Sequence, residues 1–163
     1  MKVLGPPLDG VSRDASLFPV HVLRAGTSGL CLFSAAFLGR NDAIHMARMG
    51  MTATCVDING ERLAEMEAMY PSDWEFVHGD AWEFATAASE RGDRWDTVSV
   101  DTFTGNATDR ALRTLDLWCG LADHAVAVTV CPDSKYRVPD GWLSGVMERS
   151  EIASWLVLVR EPA

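Results

Sequence analysis

Six apolar runs, separated by stretches with three- and four-residue spacing, organise the chain. The runs are LCLFSAAF (30–37), TATCVDI (52–58), WEFVH (74–78), WDTVSVD (95–101), HAVAVTV (124–130) and SWLVLVR (154–160). They are short, bounded by turn residues and largely apolar, as strands buried on both faces require. Between them, ERLAEMEAMY (61–70) sets Leu63, Met66 and Tyr70 on one helical face, and Pro71 ends it. After Asp42, Ile44, Ala47 and Arg48 share a short helix that Gly50 stops. Further helices are predicted within 81–91, 107–122 and 140–150. Strands alternating with helices imply a mostly parallel six-stranded sheet covered on both sides. The expected fold is thus α/β, a three-layer Rossmann-like sandwich. Residues 1–17 are rich in Gly, Pro, Asp and Ser without a period. They read as an N-terminal loop or arm of a single domain spanning 1–163.

In such sheets a ligand sits beyond the carboxyl ends of the strands. Three acids stand there: Asp57 in CVDIN, Asp80 in VHGDAW and Asp101 in VSVDTFTG. Each is also a good helix N-cap or turn residue, so capping alone accounts for any one of them. Three in register point further. A carboxylate ending the second strand can accept both hydroxyls of a ribose. One after the third strand can accept from an adenine amino group, and one after the fourth lies near the reacting group.

Two glycine-containing turns compete for the loop after the first strand, AGTSG (25–29) and AFLGRND (36–42). A tight loop, a short helix and a return strand need roughly 20 residues. Gly26 precedes Asp57 by 31 positions, Ala36 by 21. AFLGRND therefore takes the cofactor-loop place, and AGTSG reads as a turn whose two glycines serve turn geometry.

Residues 30–130 resemble the class I S-adenosylmethionine-dependent methyltransferases, most closely in LCLFSAAFLGRNDAIHMARMGMTATCVDIN (30–59). VSVDTFTG is similar to the equivalent segment of polyamine-synthase-like members. The resemblance implies S-adenosyl-L-methionine as cofactor, with Asp57 on the ribose and Ile58 beside the adenine. It implies Asp80 and Ala81 on the adenine edge, and Ala36, Gly39, Arg40 and Asn41 near the methionine part. Asp101 matches the acidic residue after the fourth strand and would face the acceptor, as the candidate catalytic general base. Trp82 either flanks the base or packs its helix on the sheet. Phe103 and Thr104 would line the substrate cleft.

The chain also departs from that pattern. Ser34 and Ala35 stand where the loop's acid would be, Ala36 and Leu38 stand near its usual glycines, and only Gly39 remains. The C-terminus reads as shortened, with a single closing strand. Two functions follow. One is methyl transfer to an unidentified acceptor, with a small molecule as the candidate class. The other is a catalytically inactive methyltransferase-like domain serving as a protein-interaction module for a protein partner. The short C-terminus also implies a small open pocket, or one completed by the second copy of a homodimer. A nicotinamide enzyme would want G-x-G-x-x-G after the first strand and leaves Asp80 unexplained.

Charge and composition narrow the partners. The net charge is −9 and no basic stripe runs along the chain, which disfavours tightly held nucleic acid. No apolar run reaches the ~20 residues of a membrane span, and the first residues lack a signal-peptide core, so a cytoplasmic protein is expected. The cysteines Cys31, Cys55, Cys119 and Cys131 have neither C-x-x-C spacing nor a histidine at ligand spacing, so no metal is expected. Of the histidines, His78 lies nearest the strand-end rim, and His45 reads as a packing or surface residue.

Overall fold

The computed structural model describes residues 18–102, 105–149 and 153–162. Seven strands form one sheet: β1 (Ser28–Leu32), β2 (Thr52–Asp57), β3 (Glu75–His78), β4 (Trp95–Val100), β5 (Ala122–Val130), β6 (Trp142–Glu148) and β7 (Ser154–Arg160). Their order is β3-β2-β1-β4-β5-β7-β6. β1 to β5 pair in parallel, and β7 runs antiparallel to both of its neighbours, β5 and β6. Among the described residues five α-helices complete the sandwich: α1 (Ala43–Arg48), α2 (Gly60–Glu67), α3 (Ala81–Arg91), α4 (Asn106–Arg113) and α5 (Leu115–Leu121). The Rossmann-like α/β architecture is as expected from the alternating pattern.

Each sheet face has its own core. On one, Trp82, Trp118 and Leu121 from the α3–α5 layer meet Leu30, Val98, Val128 and Leu156. On the other, Met46, Leu63, Met66 and Phe18 meet Cys31, Cys55, Ala127 and Trp155. Trp118 and Trp155 are wholly buried, and truncating either to Ala would cost about 3–5 kcal/mol.

Several elements differ from expectation. The stretch 140–150 is not a helix but holds β6, so the closing strand pair is complete and the sheet has seven strands, not six. β6 lies at the sheet edge with residues 143–146 exposed, so burial imposed no alternation on its sequence. The run 107–122 is two helices, and Thr114 breaks it by turning its hydroxyl onto the carbonyls of Arg110 and Ala111. In α1 the buried residues are Ala43, His45 and Met46, so the helix is rotated from the Ile44–Ala47–Arg48 face. The strand read over 30–37 stops at Leu32. Phe33 turns into the left-handed region at φ 65°, and Ser34–Phe37 form one 3₁₀ turn.

The glycines of AGTSG also divide. Gly26 has φ 76° and open space around it, a turn glycine. Gly29 lies inside β1, where the Met46 sulfur occupies the place of a side chain, so close packing of α1 on the sheet explains it.

Candidate functional site

The chain order reverses at β1, which lies between β2 and β4. Above its carboxyl end run residues 33–42, and on either side are Asp57, closing β2, and Asp101, following β4. Asp57 ties two turns together. Its Oδ2 accepts from the Ala35 backbone N–H at 3.1 Å and its Oδ1 from that of Asn59 at 2.8 Å. One donor on each oxygen leaves further lone pairs for a ligand. Beside it Ile58 is 70% exposed, more than any other large apolar side chain among the described residues. The His78 ring lies 3.0 Å from the Ile58 carbonyl through Nε2, and the Gly79 N–H donates to the Asp57 carbonyl at 3.0 Å. The end of β3 thus braces the turn that presents Ile58.

Asp80 is the N-cap of α3, accepting from the Glu83 N–H at 2.9 Å, and remains half-exposed. Ala81 and Trp82 are buried. The Trp82 ring meets Phe33 edge-on at 5.2 Å, lies 5.9 Å from Trp118, and carries the Arg110 guanidinium 3.9 Å over its face. Its N–H donates to Thr114 at 3.2 Å. Those contacts are the helix-packing alternative for Trp82.

The loop itself is built from its own hydrogen bonds. The N–H groups of Leu38, Gly39 and Arg40 donate to the carbonyls of Ala35, Ser34 and Phe37. Leu38 and Gly39 both have positive φ, 52° and 75°. A side chain at Gly39 would collide with Met66, Tyr70 and Ala43, so this glycine serves the turn and its packing onto α2. The Leu38 side chain packs into the cluster holding Met66 and Tyr70, and its carbonyl accepts from the Tyr70 hydroxyl at 2.8 Å. Ala36 is exposed and Arg40 half-buried.

Beneath the loop lies a polar network whose extent the sequence did not reveal. The Asn41 amide donates to Asp101 Oδ2 at 2.7 Å. Arg149, just past β6, donates to Asp101 Oδ1 at 2.9 Å, and Thr129 reaches the same oxygen at 3.4 Å. Asp101 is 5% exposed and Arg149 1%. The Arg149 guanidinium also lies 4.7 Å over the Trp155 ring. Next to this pair, Asp42 caps α1 through the Ala43 N–H at 2.6 Å and accepts from Ser99 at 2.7 Å. Burial, then the Asp101 charge, push its carboxyl up to about 7, against the opposing pull of Ser99, the cap and Arg149. Arg149 was missed because β6 was not recognised; Asp42 was legible only as the residue preceding a short helix.

His45 is buried in α1, its ring stacked on Phe18 at 5.8 Å and 10°. Neither ring nitrogen has a hydrogen-bond partner among the described residues. Burial, then Arg48, lower its pKa to about 4. Cys31, Cys55 and Cys119 are buried and Cys131 half-buried, all unbridged. Phe103 and Thr104, expected along the cleft, lie outside the described residues, as do residues 1–17. Among the described residues no helix is long and apolar enough to cross a membrane.

No protein-family model matches the sequence, and no curated protein does. Solved structures match the fold. A putative methyltransferase of Escherichia coli, yhhF, is 18% identical over 97% of this chain and 92% of its own, with a TM-score of 0.69. The magnesium protoporphyrin IX methyltransferase of Synechocystis, solved with bound S-adenosylmethionine, is 18% identical over 84% of this chain and 71% of its own, at 0.59. A TehB-like S-adenosylmethionine-dependent methyltransferase of Corynebacterium glutamicum is 11% identical over 87% and 86%, at 0.57. The fold is that of the class I methyltransferases. The complete β6–β7 pair removes one of the two reasons for reading the chain as an inactive interaction module.

Proposed function

We propose that this protein transfers a methyl group from S-adenosyl-L-methionine to a small acceptor. The observation that carries the reading is Asp57. It closes the strand next to the switch point, brackets the β1–α1 loop through Ala35, keeps acceptor capacity, and stands beside an exposed Ile58. Those are the partners an adenosine wants: a carboxylate to accept from the ribose diol, an apolar face for the base, and Asp80 with the first turn of α3 at the base edge. In this reading Ala36 and Arg40, from the loop above β1, serve the methionine part, the Arg40 guanidinium matching its carboxylate. Asn41, expected there from the sequence, is instead buried with its amide on Asp101, and holds the end of the loop. Gly39 shapes that loop from beneath.

The bound cofactor supplies an electrophilic methyl on a sulfonium sulfur. The chain's part would be to hold an acceptor lone pair toward that methyl and to leave the acceptor's proton a path to solvent or a nearby base. Holding acceptor and methyl in line is the main demand on the chain. Asp101, engaged by Asn41, Thr129 and Arg149, serves in this reading as a positioning residue that fixes Asn41 and the end of the loop. A small acceptor fits a chain of net charge −9, which offers no track for a polyanion.

Calorimetric titration with S-adenosylmethionine and S-adenosylhomocysteine, with NAD as control, tests the reading. Micromolar binding, about −8 kcal/mol, is expected for the first two. Absence of binding by folded protein, or preference for NAD, would overturn it.

A further inference from the structure

We infer that β6 is a dimerisation edge, on which a second copy of this chain adds its own β6 antiparallel to the first, about a two-fold axis at Gly145. Among the described residues β6 is the last strand of the sheet and pairs on one side only, with β7. Natural edges are blunted by lysines, prolines or bulges. This one has none: residues 141–147 read GWLSGVM, and the register with β7 runs without a shift from Trp142 to Glu148. Leu143 is 56% exposed and Val146 59%. Beside them His21, Leu143, Met147, Val157 and Val159 line an apolar concavity of about 480 Å³.

The strand is complementary to itself in one register. With Gly145 opposite its own copy, Leu143 faces the second copy's Met147, on the side where Val157 and Val159 leave the concavity. Gly145 has open space where a side chain would stand, which leaves the axis uncrowded. On the other side Trp142 faces the second copy's Glu148. Trp142 is paired in its own sheet with Arg160, whose guanidinium lies 4.7 Å over the indole ring. Each Glu148 is thus brought toward a cation at both ends of the ladder. Moving the axis to Ser144 would set Glu148 against Asp140, a like-charge pair. Moving it to Val146 would set Leu143 against Arg149. Because the axis passes through a residue pair, each side chain keeps its face and the two sheets continue as one.

Sedimentation equilibrium of the full chain at micromolar concentration should report a dimer. Leu143→Lys and Glu148→Arg, both at exposed positions, should weaken it at least tenfold while circular dichroism stays that of the parent. Gly145→Cys should form an intermolecular disulfide under mild oxidation. Ser144→Cys should not, since its copy would be offset beyond the ~7 Å Cα separation a disulfide spans. A monomer throughout would overturn the inference. So would a dimer indifferent to Leu143→Lys and Glu148→Arg, or one cross-linked at 144 rather than 145.

Discussion

Asn41 and Asp101 are joined by a 2.7 Å hydrogen bond inside the protein, and the same carboxylate holds Arg149 at 2.9 Å. The first bond ties the end of the β1–α1 loop to the end of β4; the second ties β4 to the β6–β7 connection. Removing one partner of a buried pair leaves an uncompensated charge. Arg149→Met is therefore expected to lower unfolding free energy by about 3–5 kcal/mol. Combining it with Asp101→Asn should return part of the loss. Urea denaturation of the two variants checks both statements.

Asp42 gives the stability a pH slope. Its carboxyl lies near 7 in the fold against 3.8 for the free group, chiefly through burial and then Asp101. The folded state thus holds a proton that the unfolded chain releases first, and stability falls as pH rises from about 4 to about 7. Asp42→Asn keeps an acceptor for the Ala43 N–H and removes the charge. The variant should match the parent near pH 4 and exceed it at pH 8 by an amount on the order of a few kcal/mol. Thermal melts at the two pH values measure this.

His45 works in the opposite sense. Its folded pKa of about 4 lies below the free 6.5, so the neutral ring's contribution is intact above pH 6.5 and is lost as pH falls toward 4. His45→Phe retains a ring against Phe18 and cannot take up a proton. Its melting temperature should decline less than the parent's between pH 7 and pH 4, which a pH series of melts reads directly.

These groups differ in how far the sequence disclosed them. Asp57 and Asp80 were legible because the length of a loop, a helix and a strand fixes how far apart strand ends fall. Asp101 was placed by the same spacing, yet its engagement with Arg149 was hidden behind an edge strand whose exposed residues carry no burial pattern. Asp42 and His45 sit next to the loop, but their burial follows from the rotation of α1. That rotation is set by Gly29 admitting Met46 against β1, a contact between elements that no local period encodes. Gly39 was read as a glycine for a ligand; its neighbours Met66 and Tyr70 come from α2 and the turn beyond it, out of reach of spacing rules.

Gly39→Ala tests that packing role. The added methyl would meet Met66, Tyr70 and Ala43 at 2.6–2.8 Å, on a backbone at φ 75°. A cost of about 1–3 kcal/mol is expected from crowding together with left-handed backbone strain. Urea unfolding should show it, and the Tyr70-to-Ala variant of Gly39→Ala should recover less than Met66→Ala does, because Tyr70 also anchors the Leu38 carbonyl.

Asp57 carries two jobs, and a pair of variants separates them. Asp57→Ala strips the acceptor from the Ala35 N–H, a buried donor, and should cost about 1–3 kcal/mol of stability. It should also weaken S-adenosylmethionine binding at least tenfold, equivalent to about 1.4 kcal/mol. Loss of affinity alone would not distinguish a missing ribose contact from a displaced loop. Ile58→Lys does, because Ile58 is 70% exposed and bonds to the fold mainly through its backbone. Its melting temperature should stay within about 2 °C of the parent, the range of an ordinary surface change. Its affinity for S-adenosylmethionine should fall by roughly tenfold as the apolar face for the adenine is lost. Unchanged affinity in Ile58→Lys, measured by the same calorimetry, would place the base elsewhere and leave Asp57 as a loop brace only.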